Sequence, residues 1–319
     1  MMIAIIGTGF AGLATGWFLS TSGCRVAFFD KKGIGQGASG IATGLLHPYV
    51  GEEARRSLWA NEALAEAKAL LSLAPQAILE EGILRVPQSE KQRLALLRHC
   101  VEHGDVELLL DGHFLIHSGL VIDTSRYLQM LYQACASKGA VFQHQEITTL
   151  SELESFDHVV LALGHNAAQL LPQIKEQVSR VKGQVVSVAL NASIKTTITK
   201  GYMAKSAKEG VYHWGATYEK QFTDEEPDLV AALTLLEQHK TSLPPEAKIL
   251  DCRAGVRLAR RGHYIPFVDR VEKNIWCIGA LGSRGLLYHA LLGHRLAKAI
   301  MNENEALIPK ECRLKRHES

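Results

Sequence analysis

The opening stretch from Met2 to Asp30 constrains this chain more than any other. Ile3-Ala4-Ile5-Ile6 is a short apolar run of the kind that forms a buried parallel strand. It feeds straight into Gly7-Thr8-Gly9-Phe10-Ala11-Gly12, a G-x-G-x-x-G turn, after which residues 13–22 read as a helix. Residues 25–29 read as a second strand, with Asp30 at its end. Each glycine answers a physical need. Gly7 permits the tight turn, Gly9 lets backbone approach a pyrophosphate, and Gly12 lets the helix pack close to the strand. The helix N-terminus offers unpaired N–H groups and a positive dipole end to phosphates. Asp30 falls near the ~20-residue offset at which a carboxylate takes ribose hydroxyls, which favours FAD or NAD over NADP. The glycine turn alone also occurs in strand-turn-helix units that bind nothing. Strand, glycines, helix, strand and acid together specify a dinucleotide site.

Residues 31–44 carry Gly33, Gly35, Gly37, Gly40 and Gly44, with Ala38-Ser39 among them, and read as a loop pressed against a ligand. An amphipathic helix is expected over 52–73, a strand over 83–87 and a helix over 90–102. Residues 113–117 and 119–122 read as two short strands around a turn at Ser118. Asp123-Thr124-Ser125 caps a helix ending near Lys138, with Gly139 past its end. A strand starts at Val141, and residues 158–164 form another buried strand running into a glycine turn. Segments 185–188, 196–199, 202–203 and 211–216 follow with strand composition and little helix between them, which predicts an antiparallel sheet. A helix is expected over 227–239, a last buried strand over 275–279, and a helix over 286–301. Dinucleotide-type segments thus stand at the start, middle and end of the chain, with sheet-rich segments between them. That arrangement places a ligand where the two parts meet.

Composition narrows the class further. With 319 residues, 47% apolar and 21% charged, the chain can bury a sizeable core. No run reaches the ~18 apolar residues of a membrane helix. The N-terminus has no basic region before its strand, so no signal peptide is expected and the location is read as cytoplasmic. The six cysteines show neither a C-x-x-C pair nor zinc-ligand spacing; they read as reduced thiols, and no metal site is expected. A net charge of +2 does not by itself argue for nucleic acid. Basic residues do gather at Arg55-Arg56, over 195–208, at Arg257, Arg260 and Arg261, and over 310–316. Such clusters serve as solvated faces or as phosphate contacts.

Taken together, these segments resemble the D-amino-acid-oxidase-type (DAO) family of FAD-dependent oxidoreductases over nearly the whole chain. The likeness rests on Gly7 to Gly16 with Asp30, on Gly37-Ala38-Ser39-Gly40 with Gly44, and on Val121-Ile122-Asp123. It continues through Leu161-Ala162-Leu163-Gly164, Lys182-Gly183-Gln184, Gly255-Val256-Arg257 and Gly279-Ala280-Leu281-Gly282-Ser283-Arg284-Gly285. Within the family, residues 279–286, Gly215-Ala216-Thr217-Tyr218 and Gly255-Val256-Arg257 are similar to the C-terminal oxidoreductase domain of bifunctional MnmC-type tRNA-modification proteins.

The resemblance implies an α/β fold: a Rossmann-like FAD-binding domain (1–80, 119–180, 250–319) interleaved with a smaller α+β substrate domain (81–118, 181–249). It implies FAD held by Gly7, Gly9, Phe10, Ala11, Gly12, Asp30, Lys31, Ala38, Ser39, Gly44, Leu45, Gly164, Gly282, Ser283, Arg284, Gly285 and Leu286. Arg257 is expected to hold a substrate carboxylate, with Tyr202 in the substrate pocket and Arg284 where flavin and substrate meet. The implied reaction removes the carboxymethyl group of carboxymethylaminomethyl-uridine at the tRNA wobble position and releases glyoxylate, with oxygen as electron acceptor. The alternative is oxidation of free glycine, sarcosine or D-amino acids. Two departures stand out. No methyltransferase segment is present, so a separate methyltransferase downstream is expected as a partner, and Gly40-Ile41-Ala42 stands where relatives often carry Arg or Asn after the serine.

Overall fold

The computed structural model of the chain describes residues 1–238 and 246–315. Most of its strands gather in two sheets. The first has six strands among the described residues, in the order Phe267–Arg270, Ile275–Gly279, His158–Leu161, Met2–Ile6, Arg25–Phe29 and Val141–Gln143. All neighbours run parallel except the edge strand Phe267–Arg270. Met2–Ile6 is central because every residue from Ile3 onward is apolar and buried. Its alternating side chains feed two cores, Ile3 and Ile5 on one face and Ala4 and Ile6 on the other. The first face is covered by helices Phe10–Thr21, Thr124–Ser137 and Gly285–Met301, and Ala60–Leu71 packs on the last of these. Gly16 lets the first helix lie directly on the sheet: a Cβ there would sit 2.2 Å from the Phe28 ring.

The second sheet has nine strands among the described residues. Lys248–Arg260, Val178–Ala189, Val211–Gly215, Tyr202–Lys205, Thr197–Ile198, Ile78–Arg85, Phe114–Ile122 and Leu45–Leu46 follow in order, and Val106–Leu108 also pairs with Phe114–Ile122. Its pairs are antiparallel except Thr197–Ile198 against Ile78–Arg85. The α/β architecture and the antiparallel second sheet match the expectation. The four domain boundaries expected at 80/81, 118/119, 180/181 and 249/250 each fall inside a strand of this sheet.

Several elements differ from the sequence reading. The helix expected over 52–73 covers only Ala60–Leu71. Before it the chain makes the small hairpin Tyr49–Val50 with Arg55–Arg56 and takes a left-handed turn at Trp59. The two strands expected around Ser118 are one, Phe114–Ile122. The irregularity is a register shift in this strand: Leu120 pairs with Glu81 but Ile116 with Ile83, so the extra residues around Ser118 stand on Phe114–Ile122. Lys248–Arg260, the longest strand, was not anticipated as one. The helix expected over 227–239 is described as Leu229–Gln238, and residue 239 lies outside the described residues, as does residue 316 of the basic tail. Arg260 is not part of a surface patch: it is buried and donates to the carbonyls of Glu311 and Arg313, whereas Arg261 is exposed and donates to the Val178 carbonyl. All six cysteines are free thiols.

The Gly16 contact gives a direct test. Gly16→Ala forces its methyl into the Phe28 ring, and overpacking of this kind costs about 1–3 kcal/mol. Urea unfolding should show that loss, and an unchanged midpoint would contradict the packing.

Candidate active site

The residues expected at the cofactor converge at the C-terminal ends of the parallel strands, where open α/β sheets bind ligands. Met2–Ile6 ends in a turn held by Gly7 N–H donating to Phe29 O at 2.8 Å. Gly7 has φ +105°, and a Cβ on it would meet Ala162 O at 2.3 Å, so the turn is pressed against the end of the neighbouring strand. A Cβ on Gly12 would meet Gly7 O at 1.9 Å. The helix that follows has no acidic residue in its first turn and no side-chain cap from Gly9. Its first N–H, on Phe10, donates instead to Ser39 Oγ at 3.1 Å. A helix start with no acid in its first turn and no side chain at Gly9 suits a pyrophosphate, so the residues fit a dinucleotide.

Asp30 closes the adjacent strand. Its Oδ2 accepts from Thr8 N–H and Thr8 Oγ1, both at 2.9 Å, and its Oδ1 accepts from Lys32 N–H at 2.9 Å. A carboxylate has about four acceptor positions, which leaves capacity for ribose hydroxyls. Lys31 pairs with Glu146 at 2.5 Å. Ala38 and Ser39 open the short helix Ala38–Ile41, and Gly44 leads into Leu45, which pairs with Val121. Gly164 starts a 3-10 turn just past His158–Leu161. Gly282, Ser283 and Arg284 form the turn before Gly285–Met301, whose first residues are Gly285 and Leu286. The Phe10 side chain is a core group against His289 and Tyr127, so only its backbone faces the cofactor end.

The second sheet meets this edge. Gly255 brings Lys248–Arg260 against the short helix, with its Cβ position 3.3 Å from Ala38 Cα, and Ala259 bridges to Leu281. Two strand positions further on from Gly255, Arg257 reaches across Gly183, donates from Nη2 to Thr217 O at 3.3 Å and lies 6.0 Å from the Tyr218 ring centroid. Among the described residues no carboxylate forms an ion pair with Arg257. Tyr202 is largely buried, hydrogen-bonded to Thr43 and close to Arg257 and Arg253; burial raises its hydroxyl pKa. Structure thus brings Arg257 and Tyr202 together.

Arg284 belongs to a second basic group. Its guanidinium stacks 4.2 Å above the Tyr264 ring and its Nε reaches Ser57 Oγ at 3.4 Å. Arg284 acts on His47 together with Arg85. Arg85 is 3% exposed, donates to Gly51 O at 2.9 Å and leaves Nε without a partner. Burial pushes the His47 pKa down to about 3, helped by Arg85 and Arg284, and its Nδ1 has no partner. The segment from Thr43 to His47 therefore joins two cationic groups, one around Arg257 and Tyr202 and one around Arg284. Sequence reasoning missed Thr43, Arg85 and the role of Thr8 as donor to Asp30. Only the adjacency of His47 to the Gly44-Leu45 motif could have signalled the second group.

A cleft of about 360 Å³ opens beside Thr43, lined on its basic side by Lys205, Lys208, Arg253 and His213, with Asp123 and Asp251 also on its wall. Arg253 Nη2 lies 3.3 Å from His213 Nε2, and burial together with Arg253 pushes the His213 pKa down to about 4.

Comparison with known proteins accords with this geometry. The family model "FAD dependent oxidoreductase" (DAO) matches residues 2–299. Among curated proteins, the chain is similar to the tRNA 5-methylaminomethyl-2-thiouridine biosynthesis bifunctional protein MnmC of Chromohalobacter salexigens, at 24% identity over 80% of this chain and 42% of that protein. It is similar to MnmC of Polaromonas naphthalenivorans at 26% identity over 94% of this chain and 56% of that one. The chain thus spans about half the length of these relatives. Glycine oxidase from Geobacillus kaustophilus has the same fold, with a TM-score of 0.81 over 99% of both chains at 23% identity. Among the described residues, no helix is long and apolar enough to cross a membrane.

The two depressed histidines set a pH dependence. His47 and His213 bind a proton less readily folded than unfolded, so their stabilising neutral state is complete above about pH 6.5 and is lost as pH falls toward 4. Urea midpoints should drop across that window, and His213→Asn should flatten the drop. An identical slope in the variant would contradict the buried, neutral His213.

Proposed function

The chain belongs to the DAO family of FAD-dependent oxidoreductases, and on that premise we propose that it oxidises the C–N bond of a carboxymethylamino group on tRNA. The substrate is the carboxymethylaminomethyl-uridine of the wobble position. The observation that carries the reading is Arg257, which has no carboxylate partner among the described residues, beside Tyr202, whose hydrogen-bond partner Thr43 lines a cleft of about 360 Å³. A planar guanidinium binds a carboxylate bidentately and keeps its charge when partly buried. Arg257 and the Tyr202 hydroxyl grip the carboxylate, and this places the methylene between carboxylate and nitrogen at the end of the parallel sheet. Lys205, Lys208 and Arg253 on the cleft wall suit tRNA phosphates. The MnmC relatives, named for tRNA 5-methylaminomethyl-2-thiouridine biosynthesis, support the same substrate class.

The methylene gives up a hydride, the resulting C=N bond takes up water, and the two halves part as the aminomethyl-uridine and glyoxylate. When bound, FAD supplies the two-electron acceptor. Gly7, Gly9, Gly12 and the backbone of Phe10 and Ala11 would hold its pyrophosphate and Asp30 its ribose, with Lys31, Ala38, Ser39, Gly44, Leu45 and Gly164 as further contacts. Gly282 to Leu286 would offer it the start of the last helix, a positive dipole end that stabilises negative charge on the reduced flavin. An amine that enters neutral needs no histidine as base. Oxygen is the proposed final acceptor, and a separate methyltransferase completes the modification.

Anaerobic addition of tRNA carrying the modified uridine should bleach the flavin band, whereas glycine and sarcosine should not. Bleaching by the free amino acids alone would overturn the tRNA reading in favour of a small-molecule oxidase. Arg257→Ala should raise KM about 10- to 100-fold, the scale of a lost charged hydrogen bond, with flavin retained. Gly9→Val should leave the protein without flavin, and a yellow, active Gly9→Val protein would contradict the pyrophosphate assignment.

A further inference from the structure

Helix Glu90–His103 lies outside the reaction centre and packs beside the small hairpin Tyr49–Val50/Arg55–Arg56. His99, Glu102 and His103 stand on its last turn, and each offers a ligand atom within 4.8 Å of the other two. Residues three and four apart share a helix face, so this spacing converges them. His99 is 8% exposed, and its Nε2 lies 2.9 Å from Ala54 O. A carbonyl only accepts, so that nitrogen carries the proton and the lone pair is on Nδ1. Nδ1 is buried and has no partner. This is the arrangement of metal-binding histidines, in which a backbone carbonyl fixes the tautomer and turns the other nitrogen toward the ion. Tyr49 packs against the His99 ring with centroids 4.4 Å apart and the planes tilted by 31°, and is itself anchored by Asp105, so the imidazole is held in place. His103 lies 5.4 Å from His99, ring to ring, and its Nε2 is 3.7 Å from Glu102 Oε2.

We propose that His99, Glu102 and His103 bind a divalent transition metal of the zinc class. Two imidazoles and one carboxylate, with a water in the fourth position, make the N/O donor set such ions prefer. In a tetrahedral site with bonds of about 2.0 Å, ligand atoms stand ~3.3 Å apart. Rotation of the exposed Glu102 and His103 side chains about a fixed His99 closes the distance. The ion acts on the reaction centre only through backbone. Ala54 belongs to the hairpin whose Gly51 carbonyl receives Arg85, and Ser57 just beyond it meets Arg284. The site is therefore structural, and binding stiffens the hairpin that positions these arginines.

Isothermal titration of chelator-treated, flavin-loaded protein with zinc chloride tests this, alongside thermal unfolding. The expected result is one site per chain and a raised melting temperature, with affinity reduced at least about tenfold in His103→Ala. His103 is exposed, so the variant folds. His117→Ala, at another exposed histidine paired with a carboxylate, should bind zinc as the unaltered protein does. Absence of a saturable site, or equal affinity in His103→Ala and the unaltered protein, would overturn the proposal.

Discussion

The structure depends on a contact between backbones that no side chain interrupts. At the end of the central strand, Gly7 is packed on Ala162 O and Gly12 on Gly7 O, at distances a Cβ could not tolerate. That closeness lets the first helix start directly above the strand end, at the edge where the two parallel neighbours of the strand also finish. Any side chain at either position would push helix and strand apart and tilt the dipole away. Gly293 extends the same economy to the last helix, whose Cβ position there is 2.9 Å from Thr15 N.

From that edge outward, the second sheet is fixed by joins of its own. Gly255 against Ala38 and the bridge between Ala259 and Leu281 tie its longest strand to the short helix and to the turn before the last helix. Those joins decide where Arg257 stands. The strand register with Val178–Ala189 sets it opposite Val181, while Gly183 leaves room for its guanidinium. Position follows from packing, and charge follows from the lack of a neighbouring acid. Arg85, Arg257 and Arg284 all lack an ion-paired carboxylate among the described residues, a combination that suits an anionic ligand and would be costly as mere structure.

Much of this was legible in the sequence, and the parts that were not share a cause. Arg25–Phe29 and Ile275–Gly279 were read to the residue because each is an apolar run buried on both faces, broken only by the exposed Arg25 at the start of the first. Lys248–Arg260 was missed because it is half exposed: Asp251, Arg253 and Arg257 interrupt its apolar pattern, and only its long pairing with Val178–Ala189 makes it a strand. Helix composition continued upstream of Ala60, so residues 52–59 were misread where hairpin hydrogen bonds prevailed over local propensity. Arg257 and Tyr202 were found through motif context, whereas Arg85 lies in an ordinary strand and its burial emerges only in three dimensions.

The central claim is that the second sheet presents a carboxylate-binding arginine at the reactive end of the cofactor. Titrating the flavin-loaded protein with acetate or glycolate, and following the visible flavin spectrum, tests it most directly. The account predicts a saturable perturbation of the flavin band that disappears in Arg257→Ala while the flavin stays bound. A perturbation of equal size and affinity in that variant would contradict it.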